Sequence, residues 1–593
     1  MTASLGDILT ALKNGVVAIN NLGQILASKA AAGSNGQVQY NNDGAFAGSP
    51  NMTFDGTYFT ADVSPSTATA AGGTTARTLA SHFADTLNVK DFGAVGDGIA
   101  DDTAAIQAAI DAACATGAPL NLGSGLNTYK ITSTLTAKPQ AYAATATFPQ
   151  FSSGVPFVLI GNGNARIVAG AAMASMLEIT YNGSTSPSAT VTPYFSKVEG
   201  VYFDGNNQAT ACFKTNQLTS GGGYIVITRC RFYQATVGID WGCVGIFHII
   251  QNLFQCHTGI YVNDKGGDSL IQHNDFYYIS NGDKAIYMLG YSGNTEISSN
   301  IFNVEAVSGT CYAVYADNSA TLHPNRHIRI ISNEFYGVVG FRAIGNFNPP
   351  TVIDNIYECT VAFNHTTDSY IGGGPGILVD ADYITNLSIV ENFGGVFFTA
   401  SLSPYQIKLT GCTNCVINSN VISGTSSTAV VITSSDWTQI NSNKFTNCGT
   451  SGTTEKFIII DSSYGTQVSG NQVIQQYTTF ANTFVYEQGT ADGTYYSENI
   501  CNAYITTPFY KIGPNSINAT NLFSTTSTAS IIQAAGTSTN LDLTLNPKGT
   551  GKIQLGATAA TAGTPGSFSA TRYIAVKDAT GAVFYIPAST TPW

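Results

Sequence analysis

Asparagine recurs through the middle of the chain in a tripeptide of the form Asn-x-apolar. The steps between successive copies are 22, 26, 33, 22, 65, 23, 28 and 28 residues, and the step of 65 has room for a further copy through Asn392. Such steps are typical of the coils of a right-handed parallel β-helix. A β-propeller would need about 40–50 residues per blade and many more tight hairpins. The repeat therefore predicts a β-helix, and its asparagines are Asn252, Asn274, Asn300, Asn333, Asn355, Asn420, Asn443, Asn471 and Asn499.

Each asparagine in such a repeat is expected at an inward turn, where its amide can bond to the equivalent amide of the next coil. The residue two positions later then fills the interior, and the residue between them points outward. The outward column predicted in this way reads Leu253, Asp275, Ile301, Glu334 and Ile356.

A different pattern precedes the repeats, at residues 87–132. A short β-type run breaks at glycines, and Asp101 and Asp102 follow, each able to cap a helix. A helical apolar stripe comes next, and two further strands follow it. We expect this helix to cover the open end of the β-helix, where an unpaired strand edge would otherwise be exposed. The stripe consists of Ile106, Ala109, Ile110 and Ala113.

The motif D-F-G-A-x-G-D-G-x-x-D-D-T-x-A-I-Q-x-A-I-D within this stretch resembles the N-terminal entry of pectate-lyase-like parallel β-helix proteins, including bacteriophage tailspikes. The resemblance implies a virion protein of the phage tail that is assembled in the bacterial host cytoplasm. It further implies binding of a bacterial surface polysaccharide, such as a capsule, exopolysaccharide or O-antigen. The superfamily includes hydrolases, lyases, epimerases and proteins without activity, so the resemblance leaves the reaction open.

The two chain ends predict assembly modules. Residues 1–30 carry apolar residues at heptad spacing, which favours a coiled coil that attaches to a phage tail or baseplate protein; a single amphipathic helix packed on the body is the alternative. Residues 31–86 are expected to form a small β-module and linker, 87–135 the cap, and 136–518 the β-helix body. Residues 519–593 contain a segment similar to the L-x-L-x-P-K-G-T-G of phage fibres and a predicted hairpin. Both ends imply a homotrimer.

Composition excludes several classes of protein. The 593 residues carry a net charge of −12, which disfavours nucleic-acid binding through phosphate contacts. No apolar run reaches about 18 residues, so no membrane insertion is expected, and no secretory signal is recognisable. We expect all 11 cysteines to be reduced, with Cys412 and Cys415 of the lone C-x-x-C acting as small buried apolar residues.

The outward column suggests a catalytic pair. Asp275 and Glu334 lie two coils apart, or about 9.6 Å at the usual strand spacing. Inverting glycosidases hold their two carboxyl groups about 6.5–9.5 Å apart, with a water molecule between them. The sequence thus predicts carboxylate-assisted glycoside hydrolysis; the alternative is that both are ordinary solvated surface acids.

The strand after each asparagine predicts a second outward column, which includes Tyr261, Tyr287, Tyr315, Arg342 and Phe363. Stacked tyrosines beside an arginine would suit sugar rings, although aromatic packing between coils is an equally good explanation. Beside it we expect Asn263, Leu289, Asp317, Ile344 and His365. Asp317 is a third candidate acid, His365 a candidate substrate-binding residue, and Glu296, Glu305, Glu358 and Asp368 are reserves.

No cofactor or metal is expected. The sequence has no H-E-x-x-H motif, and it lacks the stacked aspartates that hold calcium in pectate lyases as well as the Gly-His-Gly of polygalacturonases. Two alternatives to hydrolysis remain. One is a receptor-binding fibre without catalysis, and the other is a polysaccharide lyase that uses His365 or a tyrosine as its base.

Overall fold

The structure is a computed structural model. It describes residues 4–28, 34, 37–42, 45–61, 66–123, 125–139, 155–180, 196–215, 224–242, 245–263, 267–278, 280–290, 293–303, 310–318, 326–345, 356–367, 376–395, 404–452, 454–476, 481, 483–502, 505, 507–511, 518–519, 524–525, 573–577 and 583–587. The chain divides into two compact units, Met1–Ser530 and Ile531–Trp593.

The first unit begins with helix α1, Leu5–Ser28. Every side chain from Ser4 to Ala18 is exposed, so this part of the helix does not pack on the body within one chain. A three-stranded antiparallel sheet follows, formed by Gln37–Asn42, Ala45–Phe54 and Phe59–Ala61. These strands lie within residues 31–86, where a small β-module is expected. Thr67–Ala68 then pairs with Arg77–Thr78 ahead of the short helix α2, Leu79–Phe83.

The cap contains a 3₁₀ turn, Val89–Phe92, and helix α3, Thr103–Thr116. The predicted stripe is confirmed, because its four residues are buried. Asp101 accepts a hydrogen bond from the Thr103 backbone nitrogen at 3.0 Å. The expectation that Asp102 also caps the helix with its side chain is wrong. Its buried carboxylate instead accepts hydrogen bonds from the backbone nitrogens of Val95 and Gly96, and so holds the glycine-rich loop in place.

Three parallel sheets form the β-helix body, and each coil contributes one strand to each sheet. Sheet A has 14 strands: Leu135–Ala137, Met173–Ile179, Ala209–Thr215, Val237–Trp241, Thr258–Asn263, Lys284–Leu289, Tyr312–Asp317, Val339–Ile344, Ile377–Asp382, Ile407–Thr410, Val430–Thr433, Lys456–Asp461, Thr483–Gln488 and Thr507–Lys511.

Sheet B comprises the strands that precede the ladder turn of each coil: Tyr224–Thr228, Ile246–Ile250, Ser269–Gln272, Thr295–Ser298, Ile328–Ile331, Ile356–Ala362, Ile384–Val390, Val416–Asn418, Gln439–Asn441, Gln467–Ser469, Tyr495–Ser497 and Asn518–Ala519. Sheet C comprises the strands that follow that turn: Arg231–Tyr233, Leu253–Gln255, Asp275–Tyr277, Ile301–Asn303, Glu334–Tyr336, His365–Thr367, Phe393–Gly395, Val421–Ser423, Lys444–Thr446, Gln472–Ile474, Ile500–Cys501 and Ser524–Thr525.

Two long strands, Val158–Ala169 and Ser196–Asp204, span sheets B and C at the N-terminal end of the body. They continue into the cap strands Leu87–Asn88, Asp97–Asp101, Leu120–Asn121 and Thr128–Ile131. The predicted right-handed parallel β-helix with an N-terminal capping helix is confirmed.

An asparagine ladder runs along the corner between sheets B and C. Asn274 shows its geometry: its backbone nitrogen and its side-chain amide both donate to Oδ1 of Asn300, at 2.9 and 3.0 Å. The same amide donates to the carbonyl of Ile249 at 2.8 Å. The ladder is continuous over Asn252, Asn274, Asn300, Asn333, Asn364, Asn392, Asn420, Asn443, Asn471 and Asn499.

One predicted ladder position is wrong. The fifth described asparagine of the ladder is Asn364, whereas Asn355 lies outside the described residues. The tripeptide Asn364-His365-Thr366 lacks the apolar third residue, and for that reason the repeat pattern missed it. Asn392 takes the place predicted for it.

The interior is filled by phenylalanines stacked coil on coil. The rings of Phe254 and Phe276 lie 4.7 Å apart and within 8° of parallel, and Phe276 stacks on Phe302 in the same way at 4.9 Å. Glycine in sheet A makes room for these rings, since a Cβ on Gly259 would come within 2.8 Å of Phe276. The predicted inward position two residues after each asparagine is therefore confirmed for this run.

The ten described cysteines are buried and form no disulfide, Cys412 and Cys415 among them. Among the described helices, none combines the length and apolar character needed to span a membrane. In the second unit, Tyr573–Lys577 pairs antiparallel with Val583–Pro587, which is the hairpin predicted from the sequence. The L-x-L-x-P-K-G-T-G segment lies outside the described residues.

Candidate functional site

Asp275 and Glu334 point outward from sheet C in one column. Asp275 pairs with Ile301 in the next coil, and Ile301 pairs with Glu334 in the coil after that. The two carboxyl groups are thus two coils apart, which corresponds to about 9.6 Å. Ile301 is 39% exposed between them, so an open surface separates the two acids.

The end of this column differs from the sequence prediction. Ile356 does not follow Glu334, because it is fully buried in a strand of sheet B. His365 pairs with Glu334 instead, as a consequence of Asn364 being the ladder residue. An imidazole therefore lies beside the predicted catalytic pair.

The two acids have different surroundings. Asp275 is half-buried, and this burial raises the pKa of its carboxyl group. Glu334 is exposed and accepts a hydrogen bond from the Tyr336 hydroxyl, an interaction that raises the pKa of Tyr336 to about 12. Two carboxyl groups in unlike environments are the usual basis for dividing the roles of acid and base.

A groove of about 730 Å³ opens beside Asp275 on the corner between sheets B and C. Its lining includes Tyr202, Arg229, Arg231 and His273. The Arg231 guanidinium lies 4.8 Å from the centre of the Tyr202 ring, and Arg229 forms an ion pair with Glu199 at 3.1 Å. The described part of the lining carries two arginines and one acid, so it suits an anionic ligand. Sequence analysis missed it, since these residues come from separate coils.

The tyrosine column is present on sheet A. Tyr261, Tyr287, Tyr315 and Arg342 are register partners in successive coils. The rings of Tyr261 and Tyr287 are 5.2 Å apart, and those of Tyr287 and Tyr315 are 5.5 Å apart. The Lys284 ammonium group lies about 5 Å from the centres of the last two rings. The column belongs to a different sheet from Asp275, and none of its tyrosines lines the groove there.

Two residues predicted at the end of this face lie elsewhere. Phe363 is on the corner between sheets B and C, and His365 is in sheet C. The partner of Arg342 is Asp380, and the partner of Ile344 is Asp382. The misplaced asparagine at position 355 accounts for both errors, because every later position was counted from it.

Acids that the sequence analysis overlooked cluster around Arg342. Its guanidinium contacts Asp380 at 3.3 Å and Asp382 at 2.6 Å, so it is already paired. Tyr405 donates a hydrogen bond to Asp380 at 3.0 Å. Asp317 accepts one from the Tyr287 hydroxyl at 3.4 Å, and it shares a column with Asp382 two coils away. Sheet A therefore carries a second pair of carboxylates at the same spacing.

The reserve acids fall into three groups. Glu296 pairs with Arg329 at 3.1 Å in a groove of about 610 Å³ on sheet B, where Tyr224 and His248 also lie. Glu358 contacts His327 at 2.9 Å. Glu305 and Asp368 lie outside the described residues. Within the part of the chain that is described, no group of three or more metal-ligating side chains comes together.

Part of the chain matches a known protein-family model. Residues 86–328 match the family model described as rhamnogalacturonase A/epimerase, pectate lyase-like. Among curated proteins, the mannuronan C5-epimerase AlgE5 of Azotobacter vinelandii is 83% identical over 30 residues, which are 5% of this chain and 3% of the epimerase. The chain thus spans a very small part of the curated relatives it matches.

Solved structures with a similar fold include two phage tailspikes. Tailspike protein 3 of bacteriophage CBA120 aligns over 77% of this chain and 64% of its own, with 13% identity and a TM-score of 0.44. The tailspike of the E. coli bacteriophage HK620, in complex with a hexasaccharide, aligns over 78% and 82%, with 13% identity and a TM-score of 0.47. The resemblance to pectate-lyase-like proteins is confirmed by the family model over residues 86–328.

Proposed function

We propose that this protein is a phage tailspike that binds a bacterial surface polysaccharide and cleaves it by hydrolysis. The observation that carries the proposal is the outward column of Asp275 and Glu334, with unlike surroundings and a spacing close to that of inverting glycosidases. The matching family model describes enzymes of pectin-type polysaccharides, and the matching epimerase acts on mannuronan, which agrees with a polysaccharide substrate.

Asp275 is assigned as the general acid, because its raised pKa keeps the proton that the glycosidic oxygen receives as the bond breaks. Glu334 is assigned as the general base, since it is exposed and can take a proton from the water that attacks the anomeric carbon. The basic groove beside Asp275 supports an acidic sugar in the neighbouring position. Asp317 with Asp382 on sheet A is the second candidate pair.

The experiment compares the size of bacterial surface polysaccharides before and after incubation with wild type, Asp275→Asn and Glu334→Gln. We expect wild type to shorten at least one polysaccharide, and each amide variant to be slower by about 10²–10⁴-fold. Asp317→Asn serves as the control variant for the sheet A pair. Cleavage at the wild-type rate by both amide variants would exclude the assignment, and a loss only in Asp317→Asn would move the site to sheet A.

A polysaccharide lyase is the second candidate, and the position of His365 favours it. The imidazole lies beside Glu334, where it could remove the proton next to a uronic acid carboxylate. A lyase leaves an unsaturated sugar that absorbs ultraviolet light, whereas a hydrolase does not. A receptor-binding fibre without catalysis would leave every polysaccharide at its original size.

We also propose that the protein is a homotrimer in the virion, attached to the phage tail or baseplate through its N-terminus. Helix α1 supports self-association, because Leu5, Ile8 and Leu12 are 79%, 48% and 61% exposed in one chain. Removal of residues 1–60 should leave a folded trimer, because we expect that segment to be an attachment module joined to the body by linkers. Sedimentation of the shortened protein as an aggregate or an unfolded monomer would contradict this.

A further inference from the structure

An exposed tryptophan lies on the corner between sheets A and B in the C-terminal half of the body. Trp437 is 55% exposed, whereas Trp241 is fully buried in the core. Tyr464, on the same corner one coil further on, is 49% exposed. The two ring centroids are 5.1 Å apart, and the rings are nearly perpendicular at 86°. The corner therefore presents two adjoining aromatic surfaces to solvent.

The backbone at this tryptophan is strained. Trp437 has a φ of 58°, in the left-handed region that bulky residues rarely adopt. Its equivalents in the neighbouring coils are Asn414, Gly465 and Gly493, which tolerate that conformation. A Cβ on Gly465 would come within 2.6 Å of the indole ring, so the glycine leaves the space that the indole occupies. Positive φ recurs at many corners of this body, so what distinguishes the position is a bulky indole where asparagine and glycine occupy the neighbouring coils.

Amide side chains border the same surface. A groove of about 620 Å³ is lined by Trp437 together with Asn414, Gln439, Gln467 and Tyr495. Gln439 accepts a hydrogen bond from Asn441, and Gln467 donates one to Ser469. A side-chain amide takes part in as many as about four hydrogen bonds, so these contacts leave capacity for a ligand.

Among the described residues, none that lines this groove is charged. Two acids at this corner form hydrogen bonds with the backbone. Asp436 accepts one from the Tyr464 backbone nitrogen at 2.8 Å, and Asp492 accepts one from the Gly493 backbone nitrogen at 2.6 Å. Sugar rings combine an apolar C–H face with hydroxyl groups that both donate and accept hydrogen bonds. Aromatic surfaces with a few placed amides match that chemistry, and an uncharged lining favours a neutral sugar.

We propose that this groove is a second glycan-binding site, which holds a neutral stretch of polysaccharide without cleaving it. The coil of Trp437 is four coils beyond that of Glu334, or about 19 Å along the axis. The two sites lie on different faces of the body, so the second site holds the polysaccharide near the protein and raises the effective concentration of substrate at the first. The inference rests on the proposed function only in its choice of a polysaccharide as ligand.

The test measures binding to an array of defined neutral and acidic bacterial oligosaccharides. All proteins carry Asp275→Asn, so that cleavage does not remove the ligand. We expect Trp437→Ala to weaken binding to neutral glycans by at least about fivefold, the effect of losing one aromatic contact. Tyr464→Ala should weaken binding less, because its ring adjoins the indole but does not line the groove. Phe363→Ala is the matched control, because Phe363 is 57% exposed with a φ of 56° on a different corner.

The proposal would be overturned if Trp437→Ala bound every glycan as its parent does, or if the parent bound no neutral glycan. A change in the sedimentation coefficient of Trp437→Ala would overturn it as well, because the groove would then be an interface between copies of the chain. Unchanged melting temperatures show that the variants fold. In the otherwise wild-type chain, Trp437→Ala should cleave short oligosaccharides at the normal rate. Loss of binding at the groove is thereby distinguished from loss of cleavage at the proposed catalytic pair.

Discussion

Asn300 donates two hydrogen bonds to the Oδ1 atom of Asn333, from its backbone nitrogen at 2.9 Å and from its side-chain amide at 3.0 Å. Both residues are buried. The amide of Asn300 also donates to the Ile271 carbonyl at 2.9 Å, and its own Oδ1 accepts from Asn274. One side chain therefore satisfies buried polar groups in the coils on either side.

The Asn300→Ala variant should be strongly destabilised. It leaves the Ile271 carbonyl and two Asn274 donors without this partner, which we expect to cost about 3 kcal/mol or more in total. The rate of thermal inactivation is the suitable measurement, since a long solenoid is expected to unfold irreversibly. Asn164→Ala, at an exposed position, is the control. Equal inactivation rates in both variants would show that the ladder does not stabilise the body.

Gly259→Ala should also destabilise the body, for a steric reason. The added methyl group would come within 2.6 Å of the Ala285 carbonyl oxygen and 2.8 Å of the Phe276 ring. Overpacking of this kind typically costs about 1–3 kcal/mol. The control is Gly452→Ala, where nothing lies within 4 Å of the new Cβ. A lowered melting temperature only for Gly259→Ala is the expected result, and the reverse order would contradict the packing described.

The pH dependence of cleavage should identify the acid. Burial raises the pKa of Asp275, so its proton is retained above the ordinary carboxyl range, and activity should fall as pH rises through that pKa. Asp275→Asn should lose this alkaline limb of the profile of kcat/KM, and Glu334→Gln should keep it. The profile should be measured for wild type and both variants. An alkaline limb retained in Asp275→Asn would assign the acid elsewhere.

The same pKa has a consequence for stability. Because the folded state binds the Asp275 proton more tightly than the unfolded chain does, this contribution is fully present below the unfolded pKa and is lost as pH rises through the folded pKa. At neutral pH, Asp275→Asn should accordingly be at least as stable as wild type. The prediction would be contradicted if Asp275→Asn melted at a lower temperature than wild type at neutral pH while the two melted at the same temperature in acid.

Tyr287→Ala should weaken glycan binding if the tyrosine column holds sugar rings. The ring lies between those of Tyr261 and Tyr315, and its loss should reduce affinity by about fivefold. Tyr287→Phe keeps the ring and loses only the hydrogen bond to Asp317, so it is the matched control. Calorimetry of binding to a glycan that wild type recognises distinguishes a role in sugar binding from a role in packing between coils. A lower melting temperature with unchanged affinity would mean that the column serves packing between coils.

The period of the asparagines was enough to predict the β-helix, its inward phenylalanines, and the outward column from Leu253 to Glu334. Each of these positions lies at a constant offset from a ladder asparagine, and the alternation of a strand assigns its face. The stripe of helix α3 followed from the sequence in the same way. These features are local, so no contact between distant residues was needed to find them.

Tertiary structure decided what lies beyond Glu334. The coil there is 31 residues long, from Asn333 to Asn364, and Thr366 stands where the repeat has an apolar residue. Asn355, which follows Asn333 by only 22 residues, therefore matched the repeat pattern better than Asn364 did. Only the strand pairing shows that His365 follows Glu334 and that Asp380 follows Arg342. The grooves at Asp275 and Trp437 depend on the fold for a further reason. Each is built from corner residues of several coils, which stacking brings within about 5 Å of one another although they are more than 20 residues apart in the chain.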